Sequence, residues 1–258
     1  MKIAVVSPVG RCGSTVATLL MAYTMAYTQG RTVRLCYTGE NHAIKRYVGK
    51  DTAERDATRT ISQVSKLLEA HAIAPDDLGD YCLKMGTNID IMDSWDSALT
   101  EEEVTSLLVF TFSRNVADYI FCDLAYSIED DTSQAVLKAC DVVVVVSEPS
   151  RASLKAIRDM QESEYWPKGK PCMLLVSKYG EEIDSLDNLA KQAQFKKRAT
   201  CKIHYSPLIT KYCNTGQLDT IIPYIIQRDP RVIEFNADLK ECTQFLLSLQ
   251  EAKIKWEG

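Results

Sequence analysis

The chain has 258 residues, 46% of them hydrophobic and 25% charged, with a formal net charge of -5. This is ordinary globular composition, long enough for one large α/β domain or two small ones. The acidic balance argues against non-specific nucleic-acid binding by the chain as a whole, and no run reaches the ~20 apolar residues needed to cross a bilayer. Lys2–Ser7 is a Val/Ile-rich strand, Thr15–Gln29 an apolar helix closed by Gly30, and Thr32–Tyr37 the next strand. That β-loop-α-β order predicts a parallel sheet with right-handed crossovers. Residues 40–56 are polar and irregular, and a helix is expected over 59–72. Pro75–Ala98 is weakly patterned apart from a short strand at Ile89–Met92. Thr100 is placed to cap a helix that opens on three glutamates.

The clearest core signal lies in ADYIFCDLA (117–125), ACDVVVVVSEP (139–149) and PCMLLVSKYG (171–180). Continuous apolar runs separated by helical patterns read as strands buried on both faces. CKIHYSP (201–207) is a further strand candidate, followed by a helical turn ending near Gly216 and a last helix over about 230–253. No internal repeat or low-complexity linker interrupts the order. The expected architecture is one α/β domain over 1–258, a doubly wound and mostly parallel sheet flanked by helices.

Nine cysteines occur without a CxxC pair or partnering histidine spacing, which suggests reduced thiols in a cytoplasmic protein. The chain enters its first strand directly, so no signal peptide is expected.

The stretch PVGRCGST (8–15) joins the first strand to the first helix. In such a loop, backbone N–H groups and a helix N-terminus converge on phosphate oxygens, a lysine neutralises charge, and a Ser or Thr hydroxyl meets magnesium. Gly10 and Gly13 can supply the turn, Thr15 stands at the magnesium position, and Ser14 stands where the lysine belongs. A G-x-x-G after a strand is by itself weak, because tight strand-to-helix turns need glycine anyway.

Taken in order, SPVGRCGSTVATLLMAYTMAYTQGRTVRLCY, ADYIFCDLAYS, ACDVVVVVSEPSRASLKAI, LLVSKYG and IHYSPLITKYCNTGQ span nearly the whole chain. This order resembles the ParA/MinD family of P-loop ATPases, which carries a deviant Walker A loop, K-G-G-x-G-K-[ST]. Within the family it looks most like the proteins that place Tad (Flp) pilus machinery, from LTEEEVTSLL with ADYIFCDLA, SKYG and YSPLITKYCNTGQL. The resemblance implies an ATP and magnesium site at Gly10, Arg11, Cys12, Gly13, Ser14 and Thr15, with Thr15 and Asp123 at the metal. It also implies a homodimer and a protein partner in a secretion, pilus or positioning system, with no specific nucleic acid.

The departures from that pattern are as informative. Without a gap, Val9 replaces the signature lysine that in the family reaches the partner's nucleotide. Ser14 replaces the second lysine and Arg11 a glycine. The expected D-x-D after the second strand is Tyr37-Thr38-Gly39. Asp123, at the end of YIFCD, fills the family's Walker B position, and Ser177 stands where a base-recognising Asn is expected, beside Lys178. Phosphoryl transfer is largely positioning and charge stabilisation, so these losses remove most of the catalytic apparatus and no catalytic residue is assigned. Backbone donors survive side-chain changes, which leaves nucleotide binding open. Arg11 is either a solvent-facing turn residue, the preferred reading, or a replacement cation for phosphate. Cys12 lies where thiols gain reactivity, although a tolerated loop position is the simpler reading.

The leading expectation is a non-hydrolysing positioning or scaffold subunit. A slow ATPase and a regulatory module for an active relative are the alternatives. His42, His71 and His204 lack metal or triad spacing and read as surface or satisfied core residues. FKKRATCK (195–202) is a basic cluster, read first as a solvated face. Leu239, Cys242, Phe245, Leu246, Leu249 and Trp256 form a stripe on the last helix, with Lys253 and Lys255 near its end. Docking of that stripe onto the domain is preferred over peripheral membrane contact.

Overall fold

The valine run Val142–Val146 is buried at every position. Only a strand covered on both faces accommodates that pattern. The computed structural model describes residues 1–38, 44, 46–49, 61–92, 99–114, 116–124, 127–180 and 182–257. Its strands are β1 (Lys2–Val6), β2 (Val33–Tyr37), β3 (Leu83–Met85), β4 (Ile89–Ile91), β5 (Tyr119–Asp123), β6 (Val142–Ser147), β7 (Cys172–Tyr179) and β8 (Thr200–His204). They form one sheet in the order β3-β4-β2-β5-β1-β6-β7-β8. Every pairing is parallel except the β3–β4 hairpin. The expected α/β, doubly wound, mostly parallel architecture is what the chain adopts.

The helices that cover the sheet begin with α1 (Ser14–Tyr23), α2 (Ile61–Glu69), α3 (Glu101–Ser113), α4 (Asp131–Ala139) and α5 (Arg151–Glu162). They continue with α6 (Leu186–Gln192), α7 (Pro207–Thr215), α8 (Ile222–Gln227) and α9 (Ile233–Glu257). Two apolar layers result. One packs Ile3, Val5, Leu35, Val144 and Leu175 against α1 and α9, and the other packs Ala4, Cys36, Cys122, Val145 and Val176 against Val104, Leu108 and Leu154. Strand alternation assigns neighbouring residues to opposite layers. Thr100 caps α3 with a reciprocal capping box to Glu103, as its sequence predicts.

Several expectations are corrected. The first helix is α-helical only to Tyr23 and then widens into a π-type turn over Thr24–Thr28. The wider turn keeps Tyr23 and Tyr27 on one side, where both hydroxyls donate to Met85, at Sδ (2.9 Å) and at the carbonyl (3.2 Å). The weakly patterned stretch holds a 3-10 turn at Pro75–Tyr81 and a strand, β3, that its three residues were too few to signal. Arg34, buried in β2, pairs with Asp90 at 3.0 Å, and Lys84 meets the same carboxylate at 2.7 Å, which ties that hairpin to the sheet. The last helix begins at Ile233, after a 3-10 turn at Pro230–Val232.

The stripe on α9 docks: Leu239, Cys242 and Leu246 are fully buried. Among the described residues no helix is long and apolar enough to cross a membrane. The side chains of Lys253, Lys255 and Trp256, together with Gly39, His42 and most of 40–56, lie outside the described residues.

Candidate functional site: the β1–α1 loop

The strand β1 lies between β5 and β6, with which it pairs through Val5↔Asp123 and Val5↔Val144. The chain order switches direction here, and in open α/β sheets the crevice at such a point collects ligands. Residues 7–13 cross this edge. The Ser7 hydroxyl donates to the Val9 carbonyl at 2.7 Å, which starts the turn. Gly13 is the N-cap of α1 with φ 83 and provides no side-chain cap. Arg11 also has positive φ, at 65. Left-handed residues two apart curve the backbone into a nest in which successive amides face one side. No amide from residue 10 to 13 donates to another described residue. A side chain at left-handed φ costs about 1–2 kcal/mol, so Arg11 keeps the nest against its own preference.

At the helix end, the Thr15 hydroxyl donates to Asp123 Oδ2 at 2.5 Å. Asp123 is 5% exposed and its Oδ1 has no partner. Burial pushes the Asp123 carboxyl up to about 6, a rise held back by the hydroxyls of Thr15 and Ser14. Thr15 spends its proton on Asp123, which leaves the hydroxyl lone pairs for an electrophile. The end of β2 runs alongside, with the Thr38 amide donating to the Asp123 carbonyl at 3.1 Å. Tyr37, at the first position of the missing D-x-D, is buried in the core instead.

The far wall is built by β7. Ser177, read from sequence as a base-recognition position, is buried, and its single hydroxyl proton goes to the Cys12 carbonyl at 2.6 Å, with the Ser147 carbonyl 3.2 Å from the same oxygen. It fastens the loop to the sheet. Lys178 Nζ donates to the Arg11 carbonyl at 3.0 Å and forms an ion pair with Glu148. Cys12 is a correction: it is 1% exposed, with its sulfur 4.0 Å from the Ser153 hydroxyl on α5, so it is neither a free loop position nor an accessible thiol.

Beside the loop opens a cavity of about 330 Å³, with Val16, Leu20, Ile203, Ile209 and Phe235 among its apolar walls and Arg11, Lys178 and Ser206 among its polar ones. His204, on the same wall, is expected from sequence to be a surface or satisfied core histidine, but only one of its ring nitrogens is paired: Nε2 is buried without a partner among the described residues. Its ring Nδ1 (2.7 Å) and backbone amide (2.8 Å) both meet Asp238 Oδ2, and its ring stands edge-on to Tyr179. Asp238 lies on α9, far away in sequence, and its carboxyl is raised mainly by burial. No sequence spacing reveals that pair.

Gly10 through Thr15 and Asp123 therefore share one edge of the sheet, with Cys12 contributing backbone only. Glu148 joins them although only its place after β6 hints at it. Among the described residues no cluster of three His, Cys, Asp or Glu could hold a metal ion.

The sheet order, the loop after β1 and the carboxylate ending β5 give the fold of the ParA/MinD-type P-loop ATPases. Neither a protein-family model nor a curated protein matches the sequence. Solved structures do match the fold. A ParA family ATPase from Chlorobium tepidum superposes with TM-score 0.70 at 15% identity, covering 94% of this chain and 97% of that one. A chain of the MinC:MinD cell division protein complex from Aquifex aeolicus gives 0.69 at 16%, covering 96% of this chain and 95% of that one. The septum site-determining protein MinD from Pyrococcus horikoshii, complexed with Mg-ADP, gives 0.67 at 14%, covering 92% and 93%.

Proposed function

We propose that the chain is a ParA/MinD-type subunit that holds a nucleoside triphosphate without hydrolysing it, and that it acts as a positioning or scaffold element of a pilus or secretion-type assembly. The observation that carries this reading is the loop backbone. Arg11 and Gly13 keep left-handed conformations, and the amides between them are uncommitted, while the lysines that would serve transfer are Val9 and Ser14. Amides from Gly10 to Thr15 would hold phosphate oxygens. Thr15 and Asp123 would hold magnesium, which fits the free lone pairs of Thr15 and the unpartnered Asp123 Oδ1. When bound, magnesium neutralises phosphate charge. Losing one preorganised stabilising group commonly costs ~10²–10³ in rate, so the loss of several leaves turnover negligible.

The homodimer, the protein partner and the pilus setting extend the family resemblance, supported by a structural neighbour that is a MinC:MinD complex. Calorimetry with Mg·ATP beside a phosphate-release assay tests the reading. Binding without release is expected. Robust release abolished by Asp123→Ala replaces it with a slow ATPase, and co-purification with a catalytically complete relative points to a regulatory module.

A further inference from the structure

Ser177 and Lys178 are neighbours in β7, yet both reach the same loop, at the carbonyls of Cys12 and Arg11. A regular strand sends consecutive side chains to opposite faces. Here the register between β7 and β8 shifts between Val176 and Tyr179, and Lys178 takes φ 52, a left-handed conformation. That irregularity turns Lys178 back over the loop, as bulges re-aim side chains near sites. Its ammonium then meets Glu148, which follows directly on β6 and whose carbonyl accepts from the Ser147 hydroxyl at 2.9 Å.

We propose that Lys178 and Glu148 are an exchangeable ion pair, in which Lys178 leaves Glu148 for the phosphate oxygens of a nucleoside di- or triphosphate seated in the loop. Lys178 is then the positioning cation that Val9 and Ser14 do not provide, and Glu148 is its resting counter-ion. The inference rests on the nucleotide reading of the loop given above. Three features support it. The ammonium already touches the segment whose amides form the nest. Lys178 and Glu148 are 48% and 35% exposed along their side chains, so their pair is weakly held. A phosphate offers more charge than a carboxylate and accepts from several donors at once, and a lysine stem is flexible enough to follow it.

A static brace makes a different forecast, and calorimetry with Mg·ADP, Mg·ATP and inorganic pyrophosphate separates the two. Removing the cation in Lys178→Met weakens binding about tenfold, the worth of one hydrogen bond to a charged group. Removing the competitor in Glu148→Gln tightens binding about threefold, because an exposed pair is worth little. Lys178→Arg restores binding to within a few-fold of the unaltered chain. Thermal melts identify any variant that is merely unfolded. Parallel weakening in Lys178→Met and Glu148→Gln, or no change in Lys178→Met, overturns the exchange and leaves the nucleotide reading standing. Absence of binding by the unaltered chain to all three ligands overturns both.

Discussion

At its helix end the β1–α1 loop keeps a hydroxyl on a buried carboxylate, Thr15 on Asp123, inside the register of the central strands. At its strand end stand Val9 and Arg11, where the family resemblance leads one to expect a lysine and a glycine, and the neighbouring cation arrives from β7 and is already paired. The difference follows what each part does for the fold. Asp123 belongs to β5, opposite Val5, and Ser177 fastens the Cys12 carbonyl, so the cradle is part of how the sheet edge packs. A lysine that meets only phosphate has no packing role, and its loss costs the fold nothing.

The comparison breaks most readily at Asp123. The folded chain keeps its proton up to about pH 6, whereas an unfolded aspartate releases it near 3.8. Folding therefore takes up a proton between these values, and stability falls as pH rises through that window, with the loss complete above about 6. Two units correspond to about 3 kcal/mol, so Asp123→Asn should be more stable than the unaltered chain at pH 8, by up to that amount. The advantage should vanish as pH drops toward 4, when followed by urea unfolding across that range. A flat difference with pH would contradict the burial of the charge.

Ser177→Ala should cost about 1–2 kcal/mol, because the Cys12 carbonyl loses its buried donor. The same change should raise hydrogen exchange at Ala17, whose amide donates to the Gly13 carbonyl at the end of the loop, while leaving α4 unchanged. Gly13→Ala should cost about 1 kcal/mol, since φ 83 is strained for any side chain although no atom lies within 4 Å of an added Cβ. The smallest effect is expected at Arg11→Gly, where relief of left-handed strain and the extra freedom of the unfolded glycine nearly cancel, giving a change of about 0.5 kcal/mol or less. That variant should keep nucleotide affinity within a few-fold, since the amides remain.

Much of the fold was legible because buried parallel strands are written as apolar runs: Val142–Val146 and Met173–Val176 needed no context. Strand β3 was not, since Leu83-Lys84-Met85 carries too few residues to establish a period. The short helices α6 and α8 were likewise missed, having too few turns to show an apolar stripe. The site was legible in its loop and in Asp123, which occupy a fixed order along the chain. Arg11's backbone conformation, the burial of Cys12, the turn of Lys178 toward Glu148 and the His204–Asp238 pair all depend on residues brought together from distant strands and helices. No spacing rule encodes those contacts.

The central claim is that the cradle holds a nucleotide intact. Incubation with Mg·ATP labelled at the γ-phosphate, rapid isolation of the protein by gel filtration and identification of the bound nucleotide tests it directly. Intact ATP travelling with the chain, undiminished over hours, is the predicted result. Recovery of ADP with released phosphate, or of no nucleotide at all, would contradict it.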